Sequence, residues 1–120
     1  MSEILEFAKR REGMIHALDG GLWFHRHNHD GESMAHLISS DKQLLLQAGQ
    51  RIGMRAEWLQ YKPLKDPRTE TRVDAWHWDL RGWSLDVGLR LVSDRTSRDR
   101  RTAMLLYSLP PGSLKGPRTR

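Results

Sequence analysis

The segment Trp76-His77-Trp78-Asp79-Leu80-Arg81 alternates bulky apolar and polar side chains. At the period of a β-strand, Trp76, Trp78 and Leu80 share one face, and His77, Asp79 and Arg81 share the other. Side chains two residues apart on one face of a strand lie about 7 Å apart, near enough to hold a ligand or a water between them. An imidazole gives and takes protons near neutral pH, and a carboxylate beside it either orients the ring or binds a cation. The plain alternative is the solvent edge of a half-buried strand.

A second run, His25-x-His27-x-His29-Asp30, carries three imidazoles at alternate positions. In an extended chain His25, His27 and His29 point to one side, a donor set suited to zinc or a similar divalent cation. His36 and His77 are candidates to complete it. Otherwise the run is a solvated polar loop. The chain has no cysteine. Disulfides, thiolate zinc sites and cysteine nucleophiles are therefore excluded, and any metal ligands must be His, Asp or Glu. No glycine-rich phosphate loop, G-x-S-x-G elbow or H-E-x-x-H helix is present.

The formal net charge is +5, unevenly spread. Residues 1–60 carry −1, residues 61–89 are neutral, and residues 90–120 carry +6. The guanidinium fork of arginine suits phosphate, so Arg90, Arg95, Arg98 and Arg101 are candidate phosphate contacts. Interleaved Asp94 and Asp99 fit a salt-laced helix surface equally. Five tryptophans supply most of the aromatic surface. Trp23, Trp58 and Trp83 read first as packing anchors, and Trp58 with Gln60 also as a ligand contact.

These residues need elements to hold them. Ile4, Leu5, Ala8 and Ile15 predict an amphipathic helix over 3–18, weakened by Gly13 and stopped by Gly20-Gly21. Strands are expected at 22–26, 34–38 and 76–81, and possible at 103–109, with 25–33 as a hairpin end or loop. Ser40 and Gln43 make a capping box for a helix over 41–53, which Gly53 ends. Residues 62–74 read as an exposed excursion. Residues 84–92 fit a helix or a strand.

Residues 34–80 resemble the DUF4031 domain family of bacteria and bacteriophages. The match runs through Met34-Ala35-His36-Leu37-Ile38-Ser39-Ser40-Asp41, Leu45, Ala48, Gly53, Trp58-Leu59-Gln60 and His77-Trp78-Asp79-Leu80. The segment 1–33 has no counterpart in that pattern, and the 61–75 insert is longer than the family's connection. The resemblance implies a small cytosolic α/β-type domain, brings no established activity, and marks His36, Asp41, Trp58, Gln60, His77 and Asp79. His36 and His77 are expected to meet if their strands are neighbours.

The expected fold is α+β: a small mixed sheet packed by two helices, one domain over 1–109, with a flexible basic tail over 110–120. No apolar run is long enough to span a bilayer, and a cytoplasmic protein is expected. The leading functional expectation is a non-enzymatic binding module for a phosphate-bearing partner, nucleic acid or nucleotide. Its ligand contacts would come from His36, Trp58, Gln60, His77, Asp79, Arg81 and the arginine cluster. The alternatives are a metal-dependent hydrolase built on the histidines, with zinc as the candidate ion, and a protein-interaction subunit or homodimer.

Overall fold

A computed structural model of the protein describes residues 3–94. The elements, in chain order, are β1 (Ile4–Glu6), α1 (Arg10–Leu18), β2 (Leu22–His29), β3 (Glu32–Ser39) and α2 (Lys42–Ile52). A 3-10 turn (Ala56–Trp58) follows, then β4 (Gln60–Tyr61), β5 (Leu64–Lys65), β6 (Arg72–Val73), β7 (Trp76–Leu80), α3 (Trp83–Leu91) and β8 (Val92–Asp94). Six strands form one mixed sheet in the order β4-β7-β3-β2-β1-β8, and β5 pairs with β6 apart from it. The α+β class is as expected, with three helices among the described residues rather than two.

The first expectation to fail is the single helix over 3–18. Its start is a strand, β1, lying between β2 and β8 and parallel to both. Ile4 and Leu5 are both buried, as an interior strand covered on two faces requires. Adjacent apolar residues there satisfied a helical pattern and a buried strand alike. The histidine run is not a loop. It is the second half of β2, and Asp30 and Gly31, both at positive φ, turn the chain directly into β3. Residues 84–92 resolve in favour of a helix up to Leu91.

α2 and α3 cover one face of the sheet, where Phe24, Leu37, Trp78 and Leu80 meet Leu45 and Leu85. The Trp78 indole Nε1 donates to the Leu45 carbonyl at 2.8 Å. The N-cap of α2 is Asp41, whose carboxylate accepts from Leu44 N–H at 3.1 Å. Ser40, the expected cap, instead donates to the Ala17 and Leu18 carbonyls and ties β3 to the end of α1. Gly53 takes the left-handed C-terminal position, φ 102°.

α1 lies on the other face, where Ala17 packs with Trp23 and Ile38. Gly13 is what lets it approach: a Cβ there would fall 2.0 Å from the Trp23 indole nitrogen. Gly49 does the same for α2 against Trp78, at 2.4 Å. Beyond α1 the 62–74 excursion carries its own two-stranded hairpin. Leu64 packs onto the Trp23 cluster, and Arg68 bridges Asp66 at 2.9 Å to Asp19 at 3.1 Å. Among the described residues no helix is long and apolar enough to cross a membrane. Arg95, Arg98, Arg101, the possible strand at 103–109 and the tail at 110–120 lie outside the described residues.

Candidate metal centre

α1 and the 62–74 hairpin cover only part of their face of the sheet. What they leave open is a cleft of about 540 Å³ floored by imidazoles. Strand register assembles it. In the antiparallel β2–β3–β7 run, His25 pairs with His36, and His36 with Asp79. In the next row Trp23 pairs with Ile38, Ile38 with His77, and His77 with Gln60 of β4. Residues directly opposite one another in paired strands share a face and lie about 5 Å apart. Side chains from four strands thus converge although the sequence scatters them from 23 to 79.

The convergence is closest at His36, His77 and Asp79. One ligand atom from each lies within 4.8 Å of the other two. Asp79 Oδ1 is 3.0 Å from His36 Nε2 and 3.3 Å from His77 Nε2. Apart from these two imidazole nitrogens, Oδ1 is buried with no partner among the described residues, and a buried carboxylate oxygen needs such partners. Donors at 2.0–2.2 Å around a four-coordinate ion sit roughly 3.3 Å apart, the spacing these contacts show. The other carboxylate oxygen, Oδ2, accepts from Gln60 Nε2 at 2.8 Å. That bond fixes which oxygen faces the histidines, as outer-shell partners do in metal sites.

The electrostatics agree with a ligand role. Burial, with His77 close by, pushes the His36 pKa down to about 4, against the opposing pull of Asp79. Burial also lowers the His77 pKa, opposed by Asp79 and reinforced by Lys62. The His25 pKa is lowered by burial and by Arg10. All three are therefore neutral at pH 7, the form that ligates a cation. A general-acid/general-base histidine pair would need one of its members protonated near neutrality.

The expected residues are partly regrouped. His25 and His27 share the floor, their ring centroids 6.1 Å apart, and His27 lies tilted against His36 at 4.6 Å. His29 lies at the exposed hairpin tip beside Asp30. The triad of converging ligand atoms is thus not His25, His27 and His29, which march away along one strand, but His36, His77 and Asp79. Arg81 shares their face but reaches to Glu32 at 3.8 Å. Arg90 is exposed on α3. Trp58 and Trp83, read first as core anchors, are 45% and 55% exposed, while Trp23 and Trp78 are the buried pair.

Two charged residues of the cleft escaped the sequence reading: Arg10, from the first turn of α1, and Lys62, after β4. They lie in segments read as an ordinary helix surface and an exposed excursion, and only their charge signalled them. No family model, curated protein or solved structure matches this chain.

Proposed function

We propose that the protein is a divalent-metal-dependent hydrolase acting on a phosphate-bearing substrate. The observation that carries this is the convergence of His36 Nε2, His77 Nε2 and Asp79 Oδ1 on one point of an open cleft, with Oδ1 otherwise unpartnered. Two neutral imidazoles and one carboxylate are the donor set of several catalytic zinc sites, and three protein ligands leave room for water or substrate. Such an ion would act as a Lewis acid, polarising a phosphoryl oxygen and activating water.

The protein's own groups do the rest. Gln60 holds the Asp79 carboxylate in register. Arg10 and Lys62, both lining the cleft, offer cations to the phosphate and compensate the charge that builds on it. His25 is neutral at pH 7 and stands in the same cleft, where it takes a proton from the attacking water. Water oxygen bonds to phosphorus, the ester P–O bond breaks, and the proton ends on the leaving oxygen.

The expectation of a non-enzymatic binding module took its phosphate contacts from Arg90, Arg95, Arg98 and Arg101, of which the last three lie outside the described residues. Arg10 and Lys62 now supply the phosphate side of the reading. Four positions marked in the sequence (His36, Gln60, His77 and Asp79) line the cleft together.

The test is metal content and phosphoesterase activity of tag-free protein. Stoichiometric zinc or manganese is expected, together with release of nitrophenol from nitrophenyl phosphate esters that stops on chelation and in Asp79→Asn. Protein that takes up no stoichiometric divalent ion at neutral pH overturns the reading.

A further inference from the structure

Beside the histidine cleft, and sharing Gln60 and Asp79 with it, runs a second groove of about 470 Å³. Trp58 and Trp83 both line it. They are the two exposed tryptophans of the described residues. Trp83 begins α3, and its ring stands near Gly53, at an ordinary contact distance of 3.4 Å from where a Cβ on that glycine would sit. Arg55 stands 5.9 Å from the Trp58 ring and is itself tied to Glu57 at 2.7 Å. Arg81 and Ser84 add polar groups to the same walls.

We propose that this groove holds the nucleobase of a nucleotide whose phosphate reaches the histidine cleft. The inference deepens the hydrolase reading and rests on it for the phosphate end. Three observations carry it. Two indoles left open to water in one groove are a stacking surface for a flat aromatic ring, since every nucleobase has a face that stacks on an aromatic side chain. The groove and the cleft meet at two shared side chains, Gln60 and Asp79, the Asp79 Oδ1 facing the histidines and its Oδ2 accepting from Gln60. Two cations stand at the far end: Arg10 and Lys62 line the histidine cleft and not the tryptophan groove, whose own arginine, Arg81, faces Glu32 at 3.8 Å. A ligand flat and apolar at one end and anionic at the other fits that polarity, and a nucleotide has this form.

The experiment is calorimetric titration of the zinc-loaded full chain with AMP, adenosine and ribose 5-phosphate at one ionic strength. AMP is expected to bind at least ten times more tightly than ribose 5-phosphate. In the Trp58→Ala/Trp83→Ala double variant that ratio falls to near one while ribose 5-phosphate binds as before. Phenylalanine at both positions restores most of the ratio, which separates stacking from loss of fold. Equal affinity of the parent protein for AMP and ribose 5-phosphate overturns the nucleobase groove and leaves the metal site standing. Zinc uptake, measured on the same samples without nucleotide, reports on the metal site alone.

Discussion

The rings of His36 and His77 stand 4.8 Å apart, centroid to centroid and edge to face, on the adjacent strands β3 and β7. Asp79 Oδ1 lies within 3.3 Å of a nitrogen of each. Forty residues of chain separate the two histidines, and antiparallel register removes that separation.

Removing one of three ligands leaves two, too few for tight binding. His36→Ala, His77→Ala and Asp79→Asn are each expected to weaken zinc affinity by about 100-fold or more. Gln60→Ala, which frees the carboxylate without deleting a ligand, is expected to cost about 10-fold. Competition titration against a fluorescent chelator reads both. Equal effects of Gln60→Ala and His36→Ala would place the ion elsewhere.

The ion-free protein should lose stability as pH falls. The folded-state pKa of His36 is lowered to about 4 from its ordinary 6.5, so between these values the unfolded chain holds a proton that the folded chain does not. Stability is full above pH 6.5, declines through that window and levels off below pH 4. At its steepest His36 alone contributes a slope approaching about 1.4 kcal/mol per pH unit. His25 and His77 act in the same direction. Urea melts of chelator-treated protein at pH 7, 6 and 5 measure the slope, and His36→Gln should flatten it.

Gly13→Ala and Gly49→Ala each drive a methyl into an indole ring, of Trp23 and Trp78 respectively. Either substitution is expected to destabilise by about 1–3 kcal/mol despite the better helix propensity of alanine. Thermal denaturation checks this. Gly13→Ala should also reduce phosphoesterase activity, because α1 carries Arg10 into the cleft, whereas Gly49→Ala acts on the opposite face.

Lys62→Ala and Arg10→Ala should raise the KM for a phosphate ester several-fold with little change in zinc content. The effect should shrink as salt rises, since exposed charges are screened. Initial rates at two ionic strengths separate this from loss of the metal site.

Part of this was legible in the residues alone. Alternation along 76–81 put His77 and Asp79 on one side of their strand, and the H-x-H-x-H spacing put three histidines on one side of theirs, because side-chain direction in a strand is a local property of period two; only the register showed that the two sides are one face of the sheet. α2 was legible for the same reason at the helical period. Ile4-Leu5 was misread because two adjacent buried residues satisfy a helix and an interior parallel strand equally. Which strands are neighbours, and in what register, is decided by burial of whole faces against α1, α2 and α3, which no window of sequence contains. That non-local choice replaced a His25–His27–His29 triad with His36, His77 and Asp79. It also drew Gln60, Arg10 and Lys62 into the cleft and left Trp58 and Trp83 open to water while Trp23 and Trp78 took the two helix contacts.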